Sequence, residues 1–198
     1  MSLTKQAKTL NNNQIDAVLN YLDGRRNSRR NEVIFLLSIK AGLRAKEIAK
    51  LEWSMILDSD GSLSQFITLQ NVATKGNSGR KIPMNKKLFD KIKELLETSQ
   101  KELSFSPEDC VVKTERAKQT SPQVIVNMFS QWYRDLGFIG CSSHSGRRTF
   151  VTSAAKKIAT VGGSLRDVQY LAGHSSLQTT ERYIDYSENA RRRIVDII

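Results

Sequence analysis

Between Asn31 and Ala41 the chain reads NEVIFLLSIKA, with Val33 to Leu37 apolar without a break and only Ser38 separating them from Ile39. A helix of this sequence is apolar on most faces, so it must be surrounded by other elements. The run therefore predicts a helix from about Arg30 to Ala41 in the centre of a packed domain. It is far too short to span a bilayer, and the polar N-terminus does not resemble a secretory signal. The expectation is a cytoplasmic chain.

The flanking sequence supplies what such a helix needs around it. Ile15, Val18, Leu19 and Leu22 recur at helical spacing, predicting a helix from Asn11 to Leu22 that Asp23-Gly24 ends. Gly42 closes the central helix, and Arg44 to Leu51 opens another, which puts Arg44 at a helix start. The period then changes. FITLQNV (Phe66–Val72) and RKIPM (Arg80–Met84) are short β-type runs on either side of TKGNSG, a hairpin with Lys75 at or near its tip. Asn85 caps a helix running through Ser99, and Phe105 to Thr114 reads as a loop around a short strand. Ser121-Pro122 starts a long helix that Gly137 stops. Three further helices follow, with Ser143, Ser164 and Ser175 or Ser176 as N-caps, and an amphipathic segment from Glu188 ends the chain. No internal repeat or interdomain linker is visible, so one domain over residues 1–198 is expected.

Charge narrows the partners. Thirty-one Lys and Arg against twenty Asp and Glu leave +11 on 198 residues, a balance that favours nucleic acid through counterion release. An anionic membrane or an acidic protein would also accept it. The two cysteines, Cys110 and Cys141, lack CxxC spacing and are expected to be buried free thiols.

Five segments stand in an informative order: GLRAKEI with Arg44, TKGNSGRKIPM with Lys75, HSGRRTF with His144 and Arg147, AGHSS with His174, and ERYID with Tyr183. Taken singly, each residue has an ordinary explanation. Arg44 and Arg147 would be solvated charges, Lys75 a loop lysine, His144 and His174 capping or core histidines, and Tyr183 a packed ring with a wet hydroxyl. In this order, with nine positions from His174 to Tyr183, the set resembles the catalytic domain of the tyrosine recombinase, or phage integrase, family. The match covers the chain from about Leu10 to Asp185.

The resemblance implies a mainly α fold with a small antiparallel β-sheet, acting on double-stranded DNA. It implies a site-specific recombinase in which Tyr183 attacks a phosphodiester to form a 3′-phosphotyrosyl link. The alternatives are a type IB topoisomerase-like enzyme, or a non-catalytic DNA-binding regulator on the same fold. Arg44 and Arg147 are assigned to the non-bridging oxygens, where guanidinium forks take the place of a metal ion. His174 donates to the same phosphate, His144 accepts the tyrosine proton, and Lys75 protonates the leaving 5′ oxygen. Glu47, one turn after Arg44, is expected to orient an active-site side chain. No cofactor, metal or small-molecule substrate is implied; a zinc site from Cys141, His144 and His174 lacks a fourth ligand.

The resemblance also implies self-association, as a tetramer on paired DNA sites, with the tail from about 187 to 198 either completing its own core or docking on a neighbour. The protein would be nucleoid-associated. Most relatives carry a helical core-binding domain ahead of the catalytic one. Here only about ten residues precede the first helix, so that domain is expected to be absent, from a naturally minimal enzyme or an excised domain. Arg148, where a histidine is common, and Ala172, where a leucine is usual, are smaller departures.

Overall fold

The computed structural model describes residues 6–73, 79–114, 117, 119–184 and 195–196. Its centre is α2 (Ser28–Lys40), in which every residue from Asn31 to Ile39 is buried. The other helices among the described residues are α1 (Asn12–Leu22), α3 (Ala45–Ala49), α4 (Lys86–Ser99), α5 (Pro122–Asp135), α6 (Ser145–Lys157), α7 (Leu165–Ala172) and α8 (Leu177–Glu181). α2 packs against α1, α3, α4 and α6, and α5 covers α3 and α1. The fold is thus mainly helical, with one two-stranded antiparallel sheet among the described residues. No helix among them is long and apolar enough to cross a membrane.

Local chemistry accounts for most helix starts. Asn11 accepts the Gln14 amide at 2.9 Å while the Gln14 side chain accepts the Asn11 amide, a reciprocal cap. Asn85 accepts from Lys87, and Ser121 accepts from Val124 behind Pro122 in the first turn. Ser143 does not cap α6. Ser142 does the turning there: its hydroxyl accepts from the His144 amide and its own amide donates to Ser145 Oγ at 3.0 Å. His144 consequently precedes the helix.

The sheet pairs β1 (Phe66–Leu69) with β2 (Arg80–Pro83), in the register Ile67↔Ile82 and Leu69↔Arg80. Ile67, Leu69, Arg80 and Ile82 face inward, as the two-residue period requires. The first strand ends three residues before Val72, because Asn71–Ala73 forms a 3-10 turn and the Asn71 side chain accepts the Gly79 amide at 2.8 Å. A side-chain acceptor there competes with continued pairing. Lys75 and the rest of 74–78 lie outside the described residues.

Three expectations change in detail. The strand within Phe105–Thr114 is a single bridge, Cys110 to Glu52. Cys110 is buried, but Cys141 is only half-buried, at the edge of the core. The helix expected over LQTTERYIDY (Leu177–Tyr186) stops, as α8, at Glu181, and the Tyr183 amide turns back to the Thr180 carbonyl. The tail from about 187 to 198 lies outside the described residues except for 195–196.

The contact between α2 and α6 decides how deeply α6 sits. Gly146 lies against Ser38, so close that a Cβ at Gly146 would stand 2.4 Å from Ser38 Oγ. Gly146→Ala should therefore lower stability by ~1–3 kcal/mol through overpacking, although helix propensity alone favours alanine by about 1 kcal/mol. The urea midpoint measures this; an unchanged or raised midpoint would show that the two helices can separate freely.

Candidate active site

The site is built on the C-terminal end of α7. The helix starts at Ser164, whose amide donates to Asp167 Oδ2 at 2.7 Å, and it ends at Gly173, with φ of 58°. The amides of Gly173 and His174 turn back to the carbonyls of Tyr170 and Gln169. The next three carbonyls are each taken by an arginine from a different element. Arg80 Nε of β2 donates to Leu171 O at 2.8 Å, Arg147 Nη2 of α6 to Ala172 O at 2.5 Å, and Arg44 Nη2, at the start of α3, to Gly173 O at 3.3 Å. Helix carbonyls left without intrahelical donors carry partial negative charge, so three guanidinium groups here are electrostatically favoured. Gly173 is required twice over: its φ is left-handed, and a Cβ would sit 2.6 Å from Arg80 Nη1.

Three neighbouring cations still need an anion. Glu47, 1% exposed, accepts the Arg44 amide at 2.8 Å and Arg44 Nη1 at 2.9 Å, and both terminal nitrogens of Arg80 at 3.0 and 3.2 Å. Burial by itself pushes the Glu47 carboxyl upward; the hydrogen bonds and charge of Arg80, then of Arg44, outweigh it and hold the group below the usual carboxylate range. Arg147 has no carboxylate partner among the described residues. Its Nη1 donates to Gly42 O at 2.6 Å. Burial, and next the like charge of Arg44, bring it down to about 10, so it remains charged near neutrality.

His174 follows Gly173 directly and is 9% exposed. Its Nδ1 lies 2.9 Å from Thr180 Oγ1, and its ring stacks on Tyr183 with centroids 5.6 Å apart. Tyr183 also packs against the small apolar cluster of Val151, Val168 and Ala172. On its other side Arg148 lies 5.7 Å from the ring centroid and donates to the Gln6 side chain. Exposed His144 joins Arg147, Arg148 and Tyr183 in lining one cleft of about 370 Å³.

Of the six residues expected to be catalytic, the fold gathers Arg44, Arg147, His174 and Tyr183 around the end of α7, with His144 across the cleft. Lys75 lies outside the described residues. Glu47, expected to orient an active-site side chain, bonds Arg44 and Arg80. Among the described residues no three His, Cys, Asp or Glu side chains converge in a way that could hold a metal ion, so Cys141, His144 and His174 do not gather. Two partners were not singled out by sequence: Arg80 and Thr180. The alternation in RKIPM puts Arg80 on the same face as Ile82, a legible sign that this arginine is turned inward. Nothing in the sequence around Thr180 marks it as a histidine partner.

Comparison with known proteins adds a family. Residues 8–190 match the family model described as the phage integrase family. The tyrosine recombinase XerA of Thermococcus onnurineus is 32% identical over 78% of the chain and 50% of its own length. Its counterpart XerC of Proteus mirabilis is 30% identical over 76% of the chain and 46% of its own length. The chain spans about half the length of the curated relatives it matches. In fold it resembles a XerA recombinase crystal structure, with a TM-score of 0.73 at 19% identity over 96% of the chain and 64% of that protein. It also resembles XerH recombinase bound to difH substrate, with a TM-score of 0.74 at 18% identity over 100% of the chain and 56% of that protein.

Two outcomes test the electrostatics. Glu47→Gln leaves the guanidinium groups without their anion and should destabilise the fold by ~3–5 kcal/mol in urea denaturation, the scale of breaking a buried ion pair; a loss of a few tenths would mean that the helix-end carbonyls suffice. His174 is pushed down to about 4, by burial first and then by Arg147, Arg44 and Arg80, against the opposing pull of Glu47. An unfolded histidine titrates near ~6.5, so between these values the unfolded state binds the extra proton. The stability that depends on neutral His174 is therefore complete above about pH 6.5 and lost as pH falls towards 4. The wild-type urea midpoint should decline from pH 6.5 to 5, and His174→Gln should flatten that decline; parallel profiles would contradict it.

Proposed function

The chain belongs to the phage integrase family, and from that premise we propose that it is a tyrosine-type site-specific recombinase that cleaves and rejoins double-stranded DNA through a 3′-phosphotyrosyl intermediate on Tyr183. The observation that carries this reading is the shared cleft of Tyr183, His144 and Arg147 beside the arginine cluster at the end of α7. The net charge of +11 supports a polyanionic partner. The relatives named recombinases, and the DNA-bound XerH, support the same partner.

In this mechanism Tyr183 Oη attacks the scissile phosphorus, its proton passes to His144, and the bond from phosphorus to the 5′ oxygen breaks. Lys75 delivers a proton to that oxygen, an assignment that rests on the family resemblance. The phosphodiester energy is kept in the tyrosyl ester, so the 5′ hydroxyl of another strand can reverse the step. Among the described residues Arg44 and Arg147 each spend two side-chain donors on Glu47 or backbone carbonyls. The remaining N–H groups are assigned to the non-bridging oxygens, where negative charge grows in the transition state. The carbonyls and Glu47 pre-set the guanidinium planes before DNA arrives, which lowers the cost of ordering them. Recombination further requires self-association, as a tetramer on paired sites of cytoplasmic, nucleoid DNA.

Covalent trapping tests the proposal. With nicked duplexes from the DNA flanking the native locus, in chelator, wild type should give a denaturation-resistant 3′-linked adduct. Tyr183→Phe should bind the same duplex and give none, while Arg44→Ala and Arg147→Ala should cleave ~10²–10³-fold more slowly, the scale of losing one transition-state donor. An adduct undiminished in Tyr183→Phe would remove the nucleophile assignment. Binding without any adduct in wild type would favour a DNA-binding regulator, and relaxation of supercoiled DNA without strand exchange would favour a topoisomerase.

A further inference from the structure

We propose that Thr180 is a positioning residue: its hydroxyl donates to His174 Nδ1, which fixes the imidazole as the Nε2–H tautomer and so makes Nε2 the atom that donates to the scissile phosphate. The inference deepens the recombinase reading and rests on it only for the word phosphate. The tautomer itself follows from where the protons can go.

Thr180 is fully buried, and among the described residues the side-chain hydrogen bond of its Oγ1 is to His174 Nδ1, at 2.9 Å. A hydroxyl carries one proton and two lone pairs. If Nδ1 bore the imidazole proton, it would donate to Oγ1 and leave the hydroxyl proton in a buried site without an acceptor, a loss comparable to an unmade hydrogen bond. If Nδ1 accepts, that proton is satisfied and the ring proton must sit on Nε2. The second arrangement is therefore the stable one. The surroundings keep the ring neutral, with a single ring proton: burial first, and then the charges of Arg147, Arg44 and Arg80, disfavour a second one. Nε2 has no hydrogen-bond partner among the described residues, and it is not one of the side-chain atoms sealed from solvent without a partner. A donor that is unengaged among the described residues, beside Arg44 and Arg147, is placed for an oxygen of an incoming anion.

The two elements that make this contact are short and adjacent. His174 is held by the turn that ends α7, where its amide donates to Gln169 O and its carbonyl accepts from Gln169 Nε2 at 3.1 Å. Thr180 reaches it from α8, and Tyr183 closes the other face of the ring. A flip of the imidazole in its plane would exchange Nδ1 for a carbon and lose the Thr180 bond.

The sequence contains two histidines, so long-range proton–nitrogen NMR on the uniformly labelled protein reads each tautomer directly, with His144→Gln assigning the signals. Wild type and Thr180→Ser should show His174 protonated at Nε2. Thr180→Val, which keeps the shape and removes the donor, should shift the population towards Nδ1–H. In the trapping assay Thr180→Val should cleave roughly 10- to 100-fold more slowly, the scale of losing a partner that orients a functional histidine, with DNA affinity unchanged and with Thr180→Ser restoring the rate. A wild-type His174 protonated at Nδ1, or a tautomer that Thr180→Val leaves unchanged, would overturn the proposal. Wild type that shows Nε2–H but never cleaves DNA would sink the recombinase reading and leave the tautomer assignment standing.

Discussion

One buried carboxylate holds together groups that would otherwise repel. Arg44, Arg80 and Arg147 meet at the end of α7, and Glu47 bonds two of them directly while lying in the field of the third. Without that anion the cluster would place two buried guanidinium charges and the partly exposed Arg44 together with only backbone carbonyls as counterparts. Glu47 is also the third residue of α3 and caps the Arg44 amide. The same side chain thus starts the helix that carries the first arginine and neutralises it.

The three arginines come from parts of the chain that have no local reason to meet. β2 brings Arg80, the turn after α2 brings Arg44, and α6 brings Arg147 because Gly146 lets α6 approach Ser38 of α2 closely. Their common target, the carbonyls of Leu171, Ala172 and Gly173, is a consequence of helix geometry: a helix leaves its last carbonyls unsatisfied. The end of α7 therefore acts as a template that fixes three guanidinium groups in space. It leaves part of each donor set of Arg44 and Arg147 for a ligand. In the proposed reaction the scissile phosphate meets the excess positive charge that remains.

Next to this rigid cluster, Tyr183 is held by weaker contacts. Its ring rests between His174 and Arg148, half-exposed and beyond the end of α8. Under the proposed reaction the difference fits a division of labour in which the groups assigned to charge stabilisation are pre-set and the proposed nucleophile is free to adjust. Preorganised donors gain more from rigidity than a nucleophile that must approach, bond and leave.

Much of this was legible in the sequence. The unbroken apolar run in α2 requires a central helix, Asn85 and Ser121 mark helix starts, and the change of period near Phe66 marks a hairpin. These signals are local, since propensity and periodicity act over one or two turns of chain. The order of Arg44, His144, Arg147, His174 and Tyr183 was legible because it resembles a family pattern; spacing alone would not have distinguished those residues from surface charges and a packed ring. What only the tertiary structure decided is who touches whom. The pairing of Arg80 with Glu47, the three-carbonyl template, the Thr180 contact to His174 and the early end of α8 all depend on distant segments arriving at one place. A buried polar group takes its partner from whatever the packing brings within about 3 Å, and that distance is a property of the assembled fold.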